Sequence, residues 1–105
     1  MSYDVYVGGS DQDLNMTSNI GKMYYDHIPD TGKGGGIREL HETKNADVVQ
    51  IIATFFDTVN GLDRNEIAAY NATNGWGTGV GALIFMARIM GAAAQNPDGV
   101  TTIWI

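Results

Sequence analysis

Fifteen residues from Val80 to Ala94 carry one charge, Arg88, and lead through Asn96-Pro97-Asp98-Gly99 into the closing stretch Val100 to Ile105. Proline at the second and glycine at the fourth position is type I turn chemistry. The passage therefore reads as a buried helix, a tight turn and a strand. The helix has two apolar stripes: Val80, Leu83, Ile84, Ala87, Met90 and Ala94 on one side, and Ala82, Phe85, Met86, Ile89 and Ala93 on the other. A helix with both is expected to be covered nearly all round, by its own domain or by another subunit. It is too short to cross a bilayer, which takes about 20 apolar residues, so no membrane partner is expected.

At the other end, Tyr3 to Val7 alternates with a period of two, sending Tyr3, Val5 and Val7 to one face of a strand that Gly8-Gly9-Ser10-Asp11 ends. Asn15 or Thr17 can cap a helix starting near Ser18, whose inward stripe is Ile20, Met23, Tyr24 and His27 or Ile28. Pro29 to Gly36 breaks regular structure and reads as a mobile surface loop. Ile37 to His41 is too short to separate helix from strand. From a cap at Thr43, the residues Val48, Ile51, Ile52, Phe55, Phe56 and Val59 recur at three and four, an amphipathic helix that Asn60-Gly61 stops. Asp63 and Glu66 have capping-box spacing for a short helix through Tyr70.

Strands at both termini are expected to pair, because a lone strand leaves its backbone groups unsatisfied and a two-stranded ribbon is marginal without helices on one face. The predicted fold class is α+β: a small sheet of N- and C-terminal strands packed against three to four helices. A chain of 105 residues forms one domain, residues 1–105.

The chain has no cysteine, which excludes disulfides, thiolate metal sites and cysteine nucleophiles, and no basic and apolar leader at Met1-Ser2-Tyr3-Asp4. A cytoplasmic location is expected. Twelve acidic against six basic residues, a net charge of -6, disfavour nucleic acid and anionic lipid as partners.

The chemical motifs are incomplete. Asp11-Gln12-Asp13-Leu14-Asn15 copies the first half of a calcium loop, but Met16 stands where glycine is needed and Lys22 where a bidentate glutamate is needed, so no metal is expected. Gly32-Lys33-Gly34-Gly35-Gly36 has the composition of a phosphate loop with the wrong spacing. Gly8-Gly9-Ser10 is not a dinucleotide fingerprint, and no cofactor is expected. His27 and His41 each adjoin an acid, and neither has the spacing of a zinc motif. Pairing of one of them with Ser10, Ser18 or a threonine would need a distant contact, and partly buried or surface positions are the simpler expectation. Arg88 is expected to reach the surface or pair with a carboxylate. Trp76, between two glycines, is expected to fold over the helix start; exposed beside Tyr70 it would instead be a binding anchor.

Asn15-Met16-Thr17-Ser18-Asn19 after the first strand, Asn74-Gly75-Trp76-Gly77 before the last helix and Asn96-Pro97-Asp98 before the last strand occur in that order. Together they resemble a group of small proteins carried by bacteriophages and bacteria, over nearly the whole chain. The resemblance implies no catalytic residue. It implies a phage or mobile-element setting, where small acidic proteins bind and block host factors, bacterial defence complexes such as CRISPR included. The leading expectation is a non-catalytic protein that docks on a host protein, with Asp11, Asp13, Tyr70 and Trp76 as contacts. One alternative is a small enzyme or ligand-binding domain with a pocket where the Asp11 to Asn19 loop meets the glycine-rich loop. Another is a structural subunit that oligomerises through the Val80 to Ala94 helix.

Overall fold

The computed structural model describes residues 2–11 and 13–105, with the backbone alone at Asp13. Its strands are β1 (Ser2–Val7), β2 (Asp13–Thr17), β3 (Thr43–Lys44) and β4 (Val100–Trp104). They form one antiparallel sheet in the order β2-β1-β4-β3. The two terminal strands are its central pair, with Val5 opposite Ile103 and Tyr6 opposite Thr102. Alternation places Tyr3, Val5, Val7, Leu14, Thr101 and Ile103 under the helices, while Asp4, Tyr6, Asn15 and Trp104 stand on an uncovered face.

β2 was not expected as a strand. Asp13, Asn15 and Thr17 are residue types that cap helices, and that chemistry obscures the alternation of Leu14 and Met16 with them. Thr17 also does what its type suggests: its hydroxyl accepts the Asn19 N–H and caps the 3-10 turn Ser18–Ile20. Helix α1 (Gly21–His27) follows and buries Met23 and Tyr24.

Helix α2 (Asn45–Val59) buries Val48, Ile52, Phe55 and Val59 and leaves Asp47, Gln50, Thr54, Asp57 and Thr58 outside. It starts two residues after the expected cap. Thr43 belongs to β3 and turns its hydroxyl to the Glu39 and His41 carbonyls. Helix α3 (Arg64–Ala68) has the expected capping box, with Asp63 accepting from the Glu66 N–H at 2.8 Å and Glu66 accepting from the Asp63 N–H at 3.2 Å. It ends before Tyr70.

Helix α4 (Gly79–Gln95) starts at a Thr78 cap and stops at the expected turn, where the Gly99 N–H reaches the Asn96 carbonyl at 3.1 Å. One of its stripes is fully covered, Ala82, Phe85, Met86, Ile89 and Ala93 being buried; in the other, Leu83 and Met90 are partly buried against the core while Val80 and Ile84 are 57% and 49% exposed. A helix whose single charge is Arg88 has no polar stripe to mark its outer side, which is why all-round burial is the expectation from sequence. Arg88 is exposed. No helix among the described residues is long and apolar enough to cross a membrane.

An aromatic line crosses the core from the sheet to the surface. Tyr3 meets Tyr24, Tyr24 meets Phe55 at 5.8 Å between centroids, Phe55 meets His27 and His27 meets Tyr70 at 6.2 Å. Such tilted and edge-to-face contacts suit the ring quadrupoles. The buried Tyr24 hydroxyl donates to the Ala82 carbonyl at 2.9 Å, and burial raises its pKa.

Candidate functional site

The segment between α3 and α4 lies along the 18–27 helical stretch, and it brings together the two asparagine-rich motifs. Asn19, Lys22 and Asp26 recur at three and four residues and each touches it. Asn19 donates to the Trp76 carbonyl at 3.3 Å, the Lys22 ammonium stands 6.0 Å from the centre of the Tyr70 ring, and Asp26 accepts from the Tyr70 hydroxyl at 2.7 Å.

At the Trp76 end the backbone is held in several places. Asn74 folds back to accept the Trp76 N–H at 3.0 Å, and the Ala72 N–H reaches the Gly77 carbonyl at 3.0 Å. Gly77 has φ +109°, and a Cβ there would stand 2.8 Å from methyl groups of both Thr17 and Ile20. Only glycine permits that approach. The indole, against expectation, is not packed on the helix start: it is 70% exposed. Of the two glycines that could have let it fold inward, Gly77 instead brings the backbone against Thr17 and Ile20. Trp76 borders a depression of about 540 Å³ with Ser2, Asn15, Met16, Thr17 and Asn19. The Asn15 carboxamide there donates to Asp4 at 2.6 Å and to Ser2 at 3.2 Å.

At the Tyr70 end, Lys22 pairs with Asp26 at 2.8 Å, and the hydrogen bonds from Lys22 and Tyr70 hold the Asp26 carboxyl below its ordinary pKa. The same carboxylate, with burial adding to it, pushes the Tyr70 hydroxyl up to about 12. His27 Nε2 lies 3.4 Å from that hydroxyl. The expected contacts thus divide: Trp76 and Tyr70 share one strip, Asp11 is exposed in the turn between β1 and β2, and the Asp13 side chain lies outside the described residues.

The glycine-rich loop, expected to be mobile, is tied down by two carboxylates of this chain. Glu39 is buried in the 3-10 helix Gly36–Leu40, and its oxygens accept from Thr31 N–H at 2.9 Å, Gly35 N–H at 2.9 Å, Lys33 N–H at 3.2 Å and the Thr31 hydroxyl. Asp30 accepts from the intervening amides, Gly32 at 2.8 Å and Gly34 at 3.1 Å. Left-handed backbone at Gly34, Gly35 and Gly36 curls the chain around the anion. This is an anion nest, as the composition suggested, but its anion is internal. Glu39 was missed because nothing in the sequence marks which carboxylate a loop of free amides will enclose.

Burial works to raise the pKa of Glu39, but the donors of Thr31, Gly35 and Lys33 outweigh it and the group sits below its ordinary value. A cavity of about 250 Å³ opens beside it, lined by His27, Ile28, Pro29, Gln50, Ile51 and Thr54 among others. With two donors on each oxygen, Glu39 offers a ligand in that cavity no free lone pair. The depression beside Asn15 is lined neither by a histidine nor by the glycine-rich loop. His27 faces Phe55 and Tyr70, and His41 Nδ1 accepts the Ile103 N–H at 3.0 Å.

Comparison with known protein families, with curated proteins and with solved structures finds no match to this chain.

Proposed function

We propose that this chain is a non-catalytic, phage-type protein that binds a host protein in the cytoplasm of the host cell, and that by docking it blocks a host complex such as a bacterial defence system, for example CRISPR. The observation that carries the binding part is the indole of Trp76, 70% exposed on a backbone pinned by Asn74, Asn19 and Gly77. An exposed tryptophan costs solubility, and one whose backbone is already ordered loses little entropy when a partner covers it. The phage and defence part rests on the resemblance of the ordered motifs, two of which meet at this surface.

The test is capture from a bacterial host lysate on the immobilised chain, in parallel with Trp76→Ala and with Asp11→Lys. The expected result is a protein retained by the parent chain, lost with Trp76→Ala and weakened with Asp11→Lys, while both variants melt within error of the parent. Equal capture by all three would remove Trp76 from the interface and end this reading.

A second reading is carried by Val80 and Ile84, which stand one turn apart on α4 with most or half of their surface in water. A subunit that self-associates through this face would hide them. Sedimentation velocity distinguishes the two: Ile84→Lys dissociates an oligomer built on α4 and leaves a Trp76-centred binder unchanged.

A further inference from the structure

The two edges of the sheet are finished differently. On the β4 side, β3 supplies two residues of pairing, and where it ends the His41 ring takes the next outward amide, that of Ile103. On the β2 side, five residues in unbroken register with β1 carry no proline, no lysine and no bulge, the usual devices that blunt an edge.

The hydrogen-bond phase shows which groups that edge presents. The Gly8 N–H bonds to the Val100 carbonyl at 3.0 Å, so alternate residues of β1, Tyr6 and Asp4, also face β4. Ile103, opposite Val5, turns its N–H away from β1 toward His41, as this phase requires. Val5 and Tyr3 therefore bond to β2 through Leu14 and Met16, and Asn15, between them, turns its N–H and C=O outward. The Asp13 backbone and the Thr17 N–H also point outward, whereas the Thr17 carbonyl begins the 3-10 turn Ser18–Ile20. Among the described residues, nothing bonds to the outward backbone groups of Asn15.

Charge identifies what the edge would take. Residues 2–21 hold Asp4, Asp11 and Asp13 and no lysine or arginine. Trp76 stands beside Asn15 and Thr17, and an indole face attracts cations. We infer that β2 is a strand-addition site for an extended, lysine- or arginine-bearing segment of a partner protein, which pairs with the outward backbone of Asp13, Asn15 and Thr17 and sets a basic side chain over Trp76. A second copy of this chain fits less well, since it would bring the same acidic segment against itself. The inference rests on the protein-binding reading and specifies how the partner is held.

The test is amide hydrogen exchange on the whole chain with a capped octapeptide of alternating lysine and valine, against its glutamate-valine counterpart. The expected result is exchange at Asn15 and Thr17 slowed at least about tenfold by the lysine peptide alone. The protection at Thr17 should survive Asn15→Ala, which keeps the outward N–H, and be lost with Asn15→Pro, which removes it. No protection, equal protection by both peptides, or protection in the free chain that rises with its own concentration would each overturn the proposal, the last by giving the edge to a second copy. The parent-chain measurement decides even where Asn15→Pro does not fold. A lysate partner that is lost with Trp76→Ala but kept by a folded Asn15→Pro would sink strand addition and leave the binding reading standing.

Discussion

The buried carboxamide of Asn45 accepts the hydroxyl of Thr101 at 2.7 Å, joining the first residue of α2 to the last strand, with neither residue exposed. The same carboxamide donates to the Gly8 carbonyl at 3.0 Å and the Asn96 carbonyl at 2.7 Å, and the Asn45 N–H reaches the Gly99 carbonyl at 2.9 Å. One side chain thus closes β1, the helix start and the final turn together. No buried side-chain polar atom among the described residues lacks a partner.

Asn45→Ala would remove a donor from the part-buried Gly8 and Asn96 carbonyls and the acceptor of the buried Thr101 hydroxyl, at a cost of about 2 to 4 kcal/mol. Thr101→Val removes one donor and should cost about 1 to 2 kcal/mol. Because they share a bond, the double variant is expected to cost less than the sum. Urea unfolding of the four proteins checks this; simple additivity would mean that the two groups are not coupled.

Glu39→Gln tests the internal anion. A carboxamide replaces one acceptor oxygen by a donor that faces the amides of Thr31 or of Lys33 and Gly35, with an expected loss of about 2 to 3 kcal/mol at neutral pH. The folded pKa of Glu39 lies below its ordinary 4.5, so its contribution is complete above that value and fades as pH falls through the lower, folded one. Melting temperatures of parent and variant should be far apart at neutral pH and converge in acid. A constant gap would show that the carboxylate is not what the loop is built around.

The parts legible in sequence were those whose physics is local. Val48, Ile52, Phe55 and Val59 mark α2 by period, Asp63 and Glu66 mark α3 by their reciprocal cap, and Asn96 to Gly99 mark the turn before β4. Pairing of the terminal strands followed from satisfying their backbones. What stayed hidden depended on distant partners. The capping residues of β2 concealed its alternation, the triple glycine did not disclose Glu39, and the flanking glycines of Trp76 allowed the indole either to pack or to stand out.

Phe55 is fully buried and touches Tyr24, Phe56 and His27 in the aromatic line. Phe55→Ala is expected to cost about 3 to 5 kcal/mol by lost burial and a cavity in the middle of the core. Chemical denaturation measures it, and a loss under about 1 kcal/mol, well below what truncating a buried aromatic costs, would place Phe55 outside the core.

The Tyr70 hydroxyl titrates high because Asp26 accepts its proton in a hydrogen bond and repels the phenolate. Asp26→Asn should bring it from about 12 toward its ordinary 10.0, followed by carbon NMR of the ring. A raised pKa means that this contact stabilises the fold fully below the ordinary value and is lost as pH rises toward the higher one. Tyr70→Phe should therefore flatten the alkaline limb of the stability curve and, because the same hydroxyl helps hold the Asp26 carboxyl below its ordinary pKa, also weaken the part of the acid limb that Asp26 supplies.

Gly75 and Gly77 flank Trp76 with positive φ, +80° and +109°, but only Gly77 is crowded. A Cβ at Gly75 meets nothing within 4 Å, so Gly75→Ala carries backbone strain alone, about 1 kcal/mol. At Gly77 the added methyl would also drive into Thr17 and Ile20, and Gly77→Ala should cost about 2 to 4 kcal/mol and lift the turn off the sheet. The consequence for binding separates scaffold from contact: Gly75→Ala keeps the lysate partner, whereas Gly77→Ala loses it with Trp76 intact in sequence. Capture by both variants at parental strength would show that the indole does not need its pinned backbone.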